Sequence, residues 1–176
     1  MTITELLPEI ELIEDGKLRS LVAETWKRAI LLGGWDESDL QIIPFTLLIK
    51  DIHINLFQHT RAVTLCALGV YNAYEKIYRD KNPLRKDILL AGALLHDVGK
   101  LLEYEKRGGE IVKSKRGKLL RHPISGAALA WSLGVPDEVC HIIAAHSREG
   151  DHVKRIPEAF VVYHCDFANF EPFREG

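Results

Sequence analysis

The pattern of apolar and polar positions along the chain predicts a series of amphipathic helices. Apolar residues recur at helical spacing in several segments, and glycine or proline stands at most of their ends. The run ILLAGALLH is apolar on almost every side, which predicts a helix buried on most of its faces. The predicted helices span residues 17–32, 55–79, 84–103, 123–133, 137–147 and 158–170.

Two segments depart from this pattern. Residues 35–53 are apolar but interrupted by Pro44, which predicts a short helix, a bend and a second short helix. Residues 105–121 are rich in glycine and basic side chains and predict a surface loop, with a small hairpin around Gly108-Gly109. No alternation of strands and helices occurs, so the predicted fold is all-α, a single-domain helical bundle with one small hairpin in the 104–121 loop.

Length and composition fit one globular domain. The chain has 176 residues, of which 47% are hydrophobic and 27% charged, and its net charge is -2. We expect residues 1–54 to form a helical cap within the same domain, residues 55–170 to form the core, and residues 171–176 to form a frayed tail. The sequence leaves the oligomeric state open.

The same composition limits which binding partners and which cellular compartment we expect. The net charge gives no sign of duplex nucleic acid as a partner, and the apolar stretches are too short to span a membrane. The N-terminus lacks the features of a secretory signal. Three widely separated cysteines, none in a CxxC pair, favour a reduced compartment. We therefore expect a cytoplasmic protein that does not bind membranes.

The adjacent pair His96-Asp97 stands at the end of the most apolar predicted helix. Burying an imidazole and a carboxylate there is costly unless they are paired with each other or bind a metal. Taken alone, the pair fits a satisfied core His-Asp pair and a ligand pair equally well.

Candidate ligands on other predicted helices favour the metal. Each lies beside apolar or small residues, so that it faces inward; they are His59, His122, His146 and Asp166. From His59 through His96 onward, the spacings are 37, 26, 24 and 20 residues, so only side chains that meet in a helical bundle can share an ion. For the remaining histidines we favour structural or surface roles: His53, His141, His152 and His164.

The number and type of these ligands indicate the kind of centre. Imidazole and carboxylate ligands suit Fe, Mn, Co, Ni or Zn. Four histidines and two aspartates are too many for one catalytic ion with open positions. They suit two divalent ions with one bridging carboxylate.

The motifs LLHDVGK and RHPISGAAL, with the order H…HD…H…H…D, resemble the HD superfamily of metal-dependent phosphohydrolases, specifically its HDIG-type branch. The resemblance runs from His59 to Asp166. It implies one metal held by His59, His96, Asp97 and Asp166, and a second held by Asp97, His122 and His146. It further implies a bridging role for Asp97, and contact between Lys100 and a substrate phosphate. At helical spacing, Lys100 lies one turn beyond the His-Asp pair and can reach the same cavity.

The sequence departs at two places from the motifs of related HD-type proteins, and these departures limit the expected reaction and the number of metals. The HD-GYP phosphodiesterases carry a second histidine where this chain has Ser147, and GDHVKRIP stands in place of their GYP segment. Where some members carry an acidic ligand one turn before the first histidine, this chain has Asn55. These departures argue against cyclic di-GMP cleavage and against a third metal.

The expected reaction is hydrolysis of a phosphomonoester or phosphodiester, on a small substrate such as a nucleotide, by a metal-bridging hydroxide. Asp97 and Lys100 are the expected catalytic residues, and the basic segment before His122 either steers the anionic substrate or is an ordinary solvated loop. Two alternatives stay open. The resemblance also covers di-iron oxygenases of the HD type, and the helical pocket could belong to a non-catalytic nucleotide-binding module.

Overall fold

The protein is almost entirely helical; a computed structural model describes its residues 2–174. The helices are α1 Ile3–Leu6, α2 Gly16–Gly33, α3 Leu56–Tyr78, α4 Lys86–Leu95, α5 Lys100–Glu103, α6 Lys115–Leu119, α7 His122–Ser132, α8 Asp137–Ala145, α9 Pro157–Ala168 and α10 Glu171–Arg174. Short 3-10 turns cover Pro8–Leu12, Asp39–Gln41, Arg79–Lys81 and Arg148–His152. Two strands, β1 Tyr104–Arg107 and β2 Glu110–Lys113, form the hairpin. The prediction of an all-α fold is confirmed.

Side-chain caps define where the two longest helices begin. Asp15 accepts hydrogen bonds from the backbone N–H groups of Lys17 and Leu18 at the start of α2. Asn55 and Gln58 exchange side-chain to backbone hydrogen bonds, a capping box, at the start of α3. The later helices α7, α8 and α9 also form within two residues of their predicted bounds.

Helix α4 lies at the centre of the molecule. Its residues from Leu89 to Leu95 are all buried, as the apolar run predicts. Helices α3, α8 and α9 pack against it, and so do α2 and the turn Pro8–Leu12. The indole N–H of Trp26 in α2 donates to the carbonyl of Leu94 at 3.0 Å. The end of α4, where the His-Asp pair stands, is therefore enclosed by helices from both halves of the chain.

The prediction of one continuous helix over residues 84–103 is wrong between His96 and Gly99. There the chain makes tighter i to i+3 hydrogen bonds, such as Lys100 N–H to Asp97 O at 2.9 Å, before α5 begins. A neighbouring backbone lies very close, since a Cβ added to Gly99 would stand 2.1 Å from the carbonyl oxygen of His122. The apolar pattern cannot reveal this turn, because buried helix and buried turn share the same composition.

The prediction of two short helices within residues 35–53 is also wrong. After the 3-10 turn Asp39–Gln41, the chain runs out and back as a narrow loop. Phe45 N–H donates to Ile54 O at 3.2 Å, and Leu56 N–H donates to Ile43 O at 2.8 Å. Pro44 lacks the N–H that a second helical turn would need. This loop brings Phe45 to the end of the bundle at which the His-Asp pair stands, where its ring stacks on that of His59.

The hairpin prediction is confirmed. Strands β1 and β2 pair antiparallel with Tyr104 opposite Lys113, and Gly108 and Gly109 form the two-residue connection with φ of 60° and 89°. Left-handed backbone at both positions is what glycine permits and other residues resist. Of the predicted frayed tail over residues 171–176, residues 171–174 form α10 in the structure, and residues 175–176 lie outside the described part of the chain. No helix within residues 2–174 combines the length and apolarity that crossing a membrane requires.

Candidate metal centre

Asp97 stands at the centre of a buried group of imidazole rings. Its side chain is fully buried in the turn that follows α4. Its Oδ2 atom lies 3.6 Å from His59 Nε2 and 3.3 Å from His96 Nε2. Its Oδ1 atom lies 3.3 Å from His122 Nε2 and 3.6 Å from His146 Nε2. The two carboxylate oxygens therefore face two different pairs of histidines.

Asp166 joins only one of these pairs. Its Oδ1 atom lies 3.0 Å from His59 Nε2 and 3.9 Å from His96 Nε2, and its side chain is 17% exposed. The structure thus brings together all six predicted ligands, from α3, α7, α9, the end of α8 and the turn after α4. They form two groups that share Asp97, each with its ligand atoms within 4.8 Å of one another, and Asp166 stands beside the first.

Hydrogen bonds on Nδ1 fix the orientation of three imidazoles. The Nδ1 atoms of His96 and His146 each lie 2.7 Å from a carbonyl oxygen three residues earlier. The Nδ1 atom of His122 lies 2.8 Å from a carboxylate oxygen of Glu103. Carbonyl and carboxylate oxygens accept hydrogen bonds, so each Nδ1 carries the proton and donates. In the neutral rings, the Nε2 lone pairs then point to the centre, which is the tautomer that binds a metal.

This arrangement leaves acceptors facing acceptors. The Nε2 atoms of His122 and His146 are 3.3 Å apart, and both face Asp97 Oδ1. Of the buried side-chain atoms in the described part of the chain, His96 Nε2 and Asp97 Oδ1 are those without a hydrogen-bond partner. Unpaired polar atoms in a protein interior are costly. A cation in each ligand group would satisfy these atoms, His96 Nε2 in the group with His59 and Asp97 Oδ1 in the group with His122 and His146, and imidazole with carboxylate is a donor set that divalent transition metals prefer.

The protonation states agree with this interpretation. Burial lowers the pKa of His122 to about 4 and also lowers the pKa of His59, so both rings are neutral at neutral pH. Burial also disfavours protonation of His96, but the adjacent Asp97 carboxylate outweighs it and raises the pKa of His96. A proton and a metal ion therefore compete for His96 Nε2, and metal binding is expected to release protons.

Lys100 is held inside the centre rather than at its edge. Its Nζ atom lies 2.6 Å from Asp97 Oδ2 and also donates to the carbonyl oxygen of Phe45. Burial opposes the charge of Lys100, but Asp97 raises its pKa, so the ammonium group persists. Burial likewise opposes the charge of Asp97, yet Lys100 and His96 hold its pKa well below the ordinary value. Two of the three ammonium donors are thus used, and one is left for a ligand.

Glu103 is a site residue that the sequence prediction missed. It is 4% exposed, and its Oε2 accepts from both the backbone N–H and Nδ1 of His122. Its Oε1 lies 2.8 Å from Lys113 Nζ. Burial alone would raise the pKa of Glu103, but the hydrogen bonds from His122 and Lys113 bring it to about 2. A signal exists in the sequence, since a carboxylate seven residues after His96 lies on the same face of a helix.

A cavity of about 630 Å³ opens beside the centre. Asp97, Lys100, His122 and Asp166 lie in its wall. Most of its other lining residues are aromatic or basic: Phe45, Tyr104, Phe167 and Phe170, with Lys113, Arg121, Arg148 and Arg174. Of the basic segment before His122, two side chains therefore reach the cavity. These two are Lys113, which pairs with Glu103, and Arg121, which pairs with Glu149. Lys106 and Arg107 pair with Asp39 and Glu105 outside the cavity lining.

The histidines that we assigned to structural or surface roles lie outside the centre. His53, His152 and His164 are exposed, and His141 Nε2 accepts a hydrogen bond from Ile156 N–H at 3.3 Å. Asn55 caps α3 and so has a structural role at the position where some relatives carry an acid.

Comparison with known proteins agrees with the geometry. The HD domain family model matches residues 56–167. A curated relative, the dihydroneopterin 2′,3′-cyclic phosphate phosphodiesterase of Methanocaldococcus jannaschii, is 32% identical over 117 residues. The match covers 65% of this chain and 45% of that protein, so the chain spans less than half of the relative's length. No solved structure gives a significant match.

Proposed function

The chain belongs to the HD domain family, and we propose that it is a metal-dependent phosphohydrolase that hydrolyses a phosphomonoester or phosphodiester of a small, nucleotide-like compound. One observation carries the proposal. Four imidazole Nε2 atoms converge on the two oxygens of the fully buried Asp97, at the wall of a cavity large enough for a small ligand.

The ligand groups support two cations. One would be held by His59, His96, Asp97 and Asp166, and the other by Asp97, His122 and His146. Fe, Mn, Co, Ni and Zn all suit these ligands. When bound, such ions lower the pKa of water held between them and offset negative charge on phosphoryl oxygens.

The protein's own side chains orient the reaction. Asp97 is kept ionised, so both of its oxygens can serve as ligands. Lys100 lines the cavity with one ammonium donor unused, and that donor would bind a phosphoryl oxygen of the substrate. Glu103 holds His122 in the tautomer that presents Nε2.

The cavity supports a substrate that combines a phosphate with an aromatic ring. Phe45, Phe167 and Phe170 offer apolar faces, and Arg148 and Arg174 add positive charge. The name of the relative, dihydroneopterin 2′,3′-cyclic phosphate phosphodiesterase, fits the same combination. We therefore place cyclic phosphodiesters of small heterocyclic compounds first among the substrates to test.

We further propose a cytoplasmic location, on the grounds of the free cysteines.

The test is an activity panel on the purified protein supplied in turn with Mn, Fe(II), Co, Ni, Zn and Mg. Substrates are 2′,3′-cyclic AMP, bis(p-nitrophenyl) phosphate and p-nitrophenyl phosphate, and the release of product is measured with and without oxygen. We expect metal-dependent hydrolysis that persists without oxygen. Asp97→Asn should reduce the rate by a factor on the order of 1,000, because it weakens both ligand groups at once.

Asp137→Asn makes the same chemical change on the exposed surface of α8 and should leave the rate unchanged. Metal-loaded protein that hydrolyses no phosphate ester would contradict the proposal. A requirement for oxygen would indicate the oxygenase alternative instead.

A further inference from the structure

Tyr104 has a hydroxyl group for which the described residues offer no partner. It begins β1, is 6% exposed, and lines the cavity beside the metal centre. The indole N–H groups of two buried tryptophans do have hydrogen-bond partners. Trp26 Nε1 donates to Leu94 O at 3.0 Å, and Trp35 Nε1 donates to Leu101 O at 2.8 Å. Tyr104 is buried, but its hydroxyl is not among the enclosed side-chain atoms that lack a partner, so the hydroxyl faces the open cavity, where an oxygen of a ligand can accept its hydrogen bond.

The backbone around Tyr104 is fixed from two sides. Its N–H donates to the carbonyl of Lys100, and this hydrogen bond closes the C-terminal end of α5. In the hairpin, Tyr104 stands directly opposite Lys113. Lys113 in turn contacts Glu103. The backbone that carries the phenol is therefore fixed at the cavity wall before any ligand arrives, so binding needs little backbone rearrangement.

The phenol also stays neutral. Burial raises the pKa of Tyr104 to about 12, and the charges that act on it most strongly are those of Lys100 and Asp97. A neutral phenol donates a hydrogen bond to an anionic oxygen, whereas a phenolate would repel it. The position therefore suits donation to an anion.

We propose that Tyr104 is a substrate-binding residue whose hydroxyl donates a hydrogen bond to a non-bridging oxygen of the substrate's phosphoryl group, next to the ammonium of Lys100. This inference rests on the proposed function for the identity of the ligand. It gives the hairpin a role, because β1 and β2 carry Tyr104 and Lys113 to the cavity wall.

The test compares Tyr104→Phe with Tyr74→Phe. Both changes delete one hydroxyl, and Tyr74 packs against Tyr78 on α3, outside the cavity lining. Calorimetry measures the dissociation constant of inorganic phosphate for the metal-loaded protein, and phosphate is also used as an inhibitor of hydrolysis. Metal content and melting temperature are measured on the same samples.

We expect Tyr104→Phe to weaken phosphate binding by roughly tenfold to a hundredfold, the range for a hydrogen bond to a charged group. Metal content and melting temperature should stay the same, and Tyr74→Phe should bind phosphate like the unmodified protein. Equal dissociation constants in all three proteins would overturn the inference, and so would an unmodified protein that binds no phosphate. Phosphate binding that depends on Tyr104 without any hydrolysis would keep the inference and remove the proposed function.

Discussion

At the level of single residues, the centre depends on which nitrogen of each imidazole carries its proton. His96 and His146 are set by backbone carbonyls, which no side-chain substitution removes. His122 is set by the Glu103 carboxylate, so its orientation can be changed by mutation. The group that contains His122 also lacks Asp166. A negatively charged partner on Nδ1 raises the basicity of His122 and partly compensates for that missing carboxylate.

Glu103→Gln should therefore weaken metal binding at one of the two positions. Gln keeps the size of the side chain but loses its charge, and we expect a roughly tenfold to hundredfold loss of affinity for the ion held by His122 and His146. A calorimetric titration of metal-free protein with Mn or Zn measures this loss.

Glu158→Gln is the matched control, since Glu158 is also fully buried and pairs with Arg85 Nε at 2.9 Å. It should lower the melting temperature and leave both metal affinities unchanged. If Glu103→Gln binds both ions as tightly as the unmodified protein, the positioning role of Glu103 is wrong.

The convergence of the six candidate ligands was predictable because each is a chemically conspicuous residue among apolar neighbours. His59, His122 and Asp166 have no other reason to face the core of a helical bundle. Glu103 and Tyr104 were missed because they stand where an apolar helix gives way to a basic, glycine-rich segment. An acid or a tyrosine there resembles ordinary surface residues, and only the packing of α5 against β1 and α7 buries them.

At the level of elements, the turn between α4 and α5 decides the geometry of the centre. It is held against the start of α7, where Gly99 packs on the backbone of His122 and Gly126. The close approach brings His122 near Asp97. Periodicity indicated the helices correctly but could not reveal this turn, because the reason for it is a contact with a residue far along the chain.

Gly99→Ala tests that contact. Gly99 has helical dihedral angles that alanine adopts freely, so the effect would come from the added Cβ, which would stand 2.1 Å from His122 O and 2.7 Å from Gly126 N. We expect a loss of about 1–3 kcal/mol or more in the free energy of unfolding, as for other overpacked interiors. Weaker metal binding at His122 should accompany it. Thermal denaturation and metal titration measure the two effects.

Gly69→Ala provides the comparison. Gly69 lies on the exposed side of α3, and an added Cβ there meets nothing within 4 Å. Alanine should stabilise the helix by about 0.5–1 kcal/mol. A Gly99→Ala protein as stable as Gly69→Ala would show that the turn does not need its close contact.

At the level of the whole molecule, the N-terminal residues share the core that supports the centre. Leu7, Ile10 and Trp26 are fully buried in the same hydrophobic cluster as Leu94 and Leu95, which directly precede the His-Asp pair. The division into cap, core and tail stays a prediction from the sequence. The packing nevertheless gives it a testable consequence.

Deletion of residues 1–54 should abolish cooperative folding. It removes several fully buried side chains, each worth about 1.5–3 kcal/mol of hydrophobic stabilisation, whereas a domain has about 5–15 kcal/mol of net stability. Circular dichroism during heating would show a broad or absent transition. Deletion of residues 171–176 should keep a cooperative transition, since α10 is exposed. A soluble, cooperatively melting protein without residues 1–54 would show that the two parts fold independently.

We propose that Asp97 joins two metal positions in one buried centre. Elemental analysis of the purified protein tests it most directly, with Asp97→Asn and the surface variant Asp137→Asn measured alongside. We expect about two divalent ions per chain in the unmodified protein and in Asp137→Asn, and fewer than one in Asp97→Asn, because both ligand groups share that carboxylate. Metal-free protein after purification with divalent metals present, or Asp97→Asn with full metal content, would contradict it.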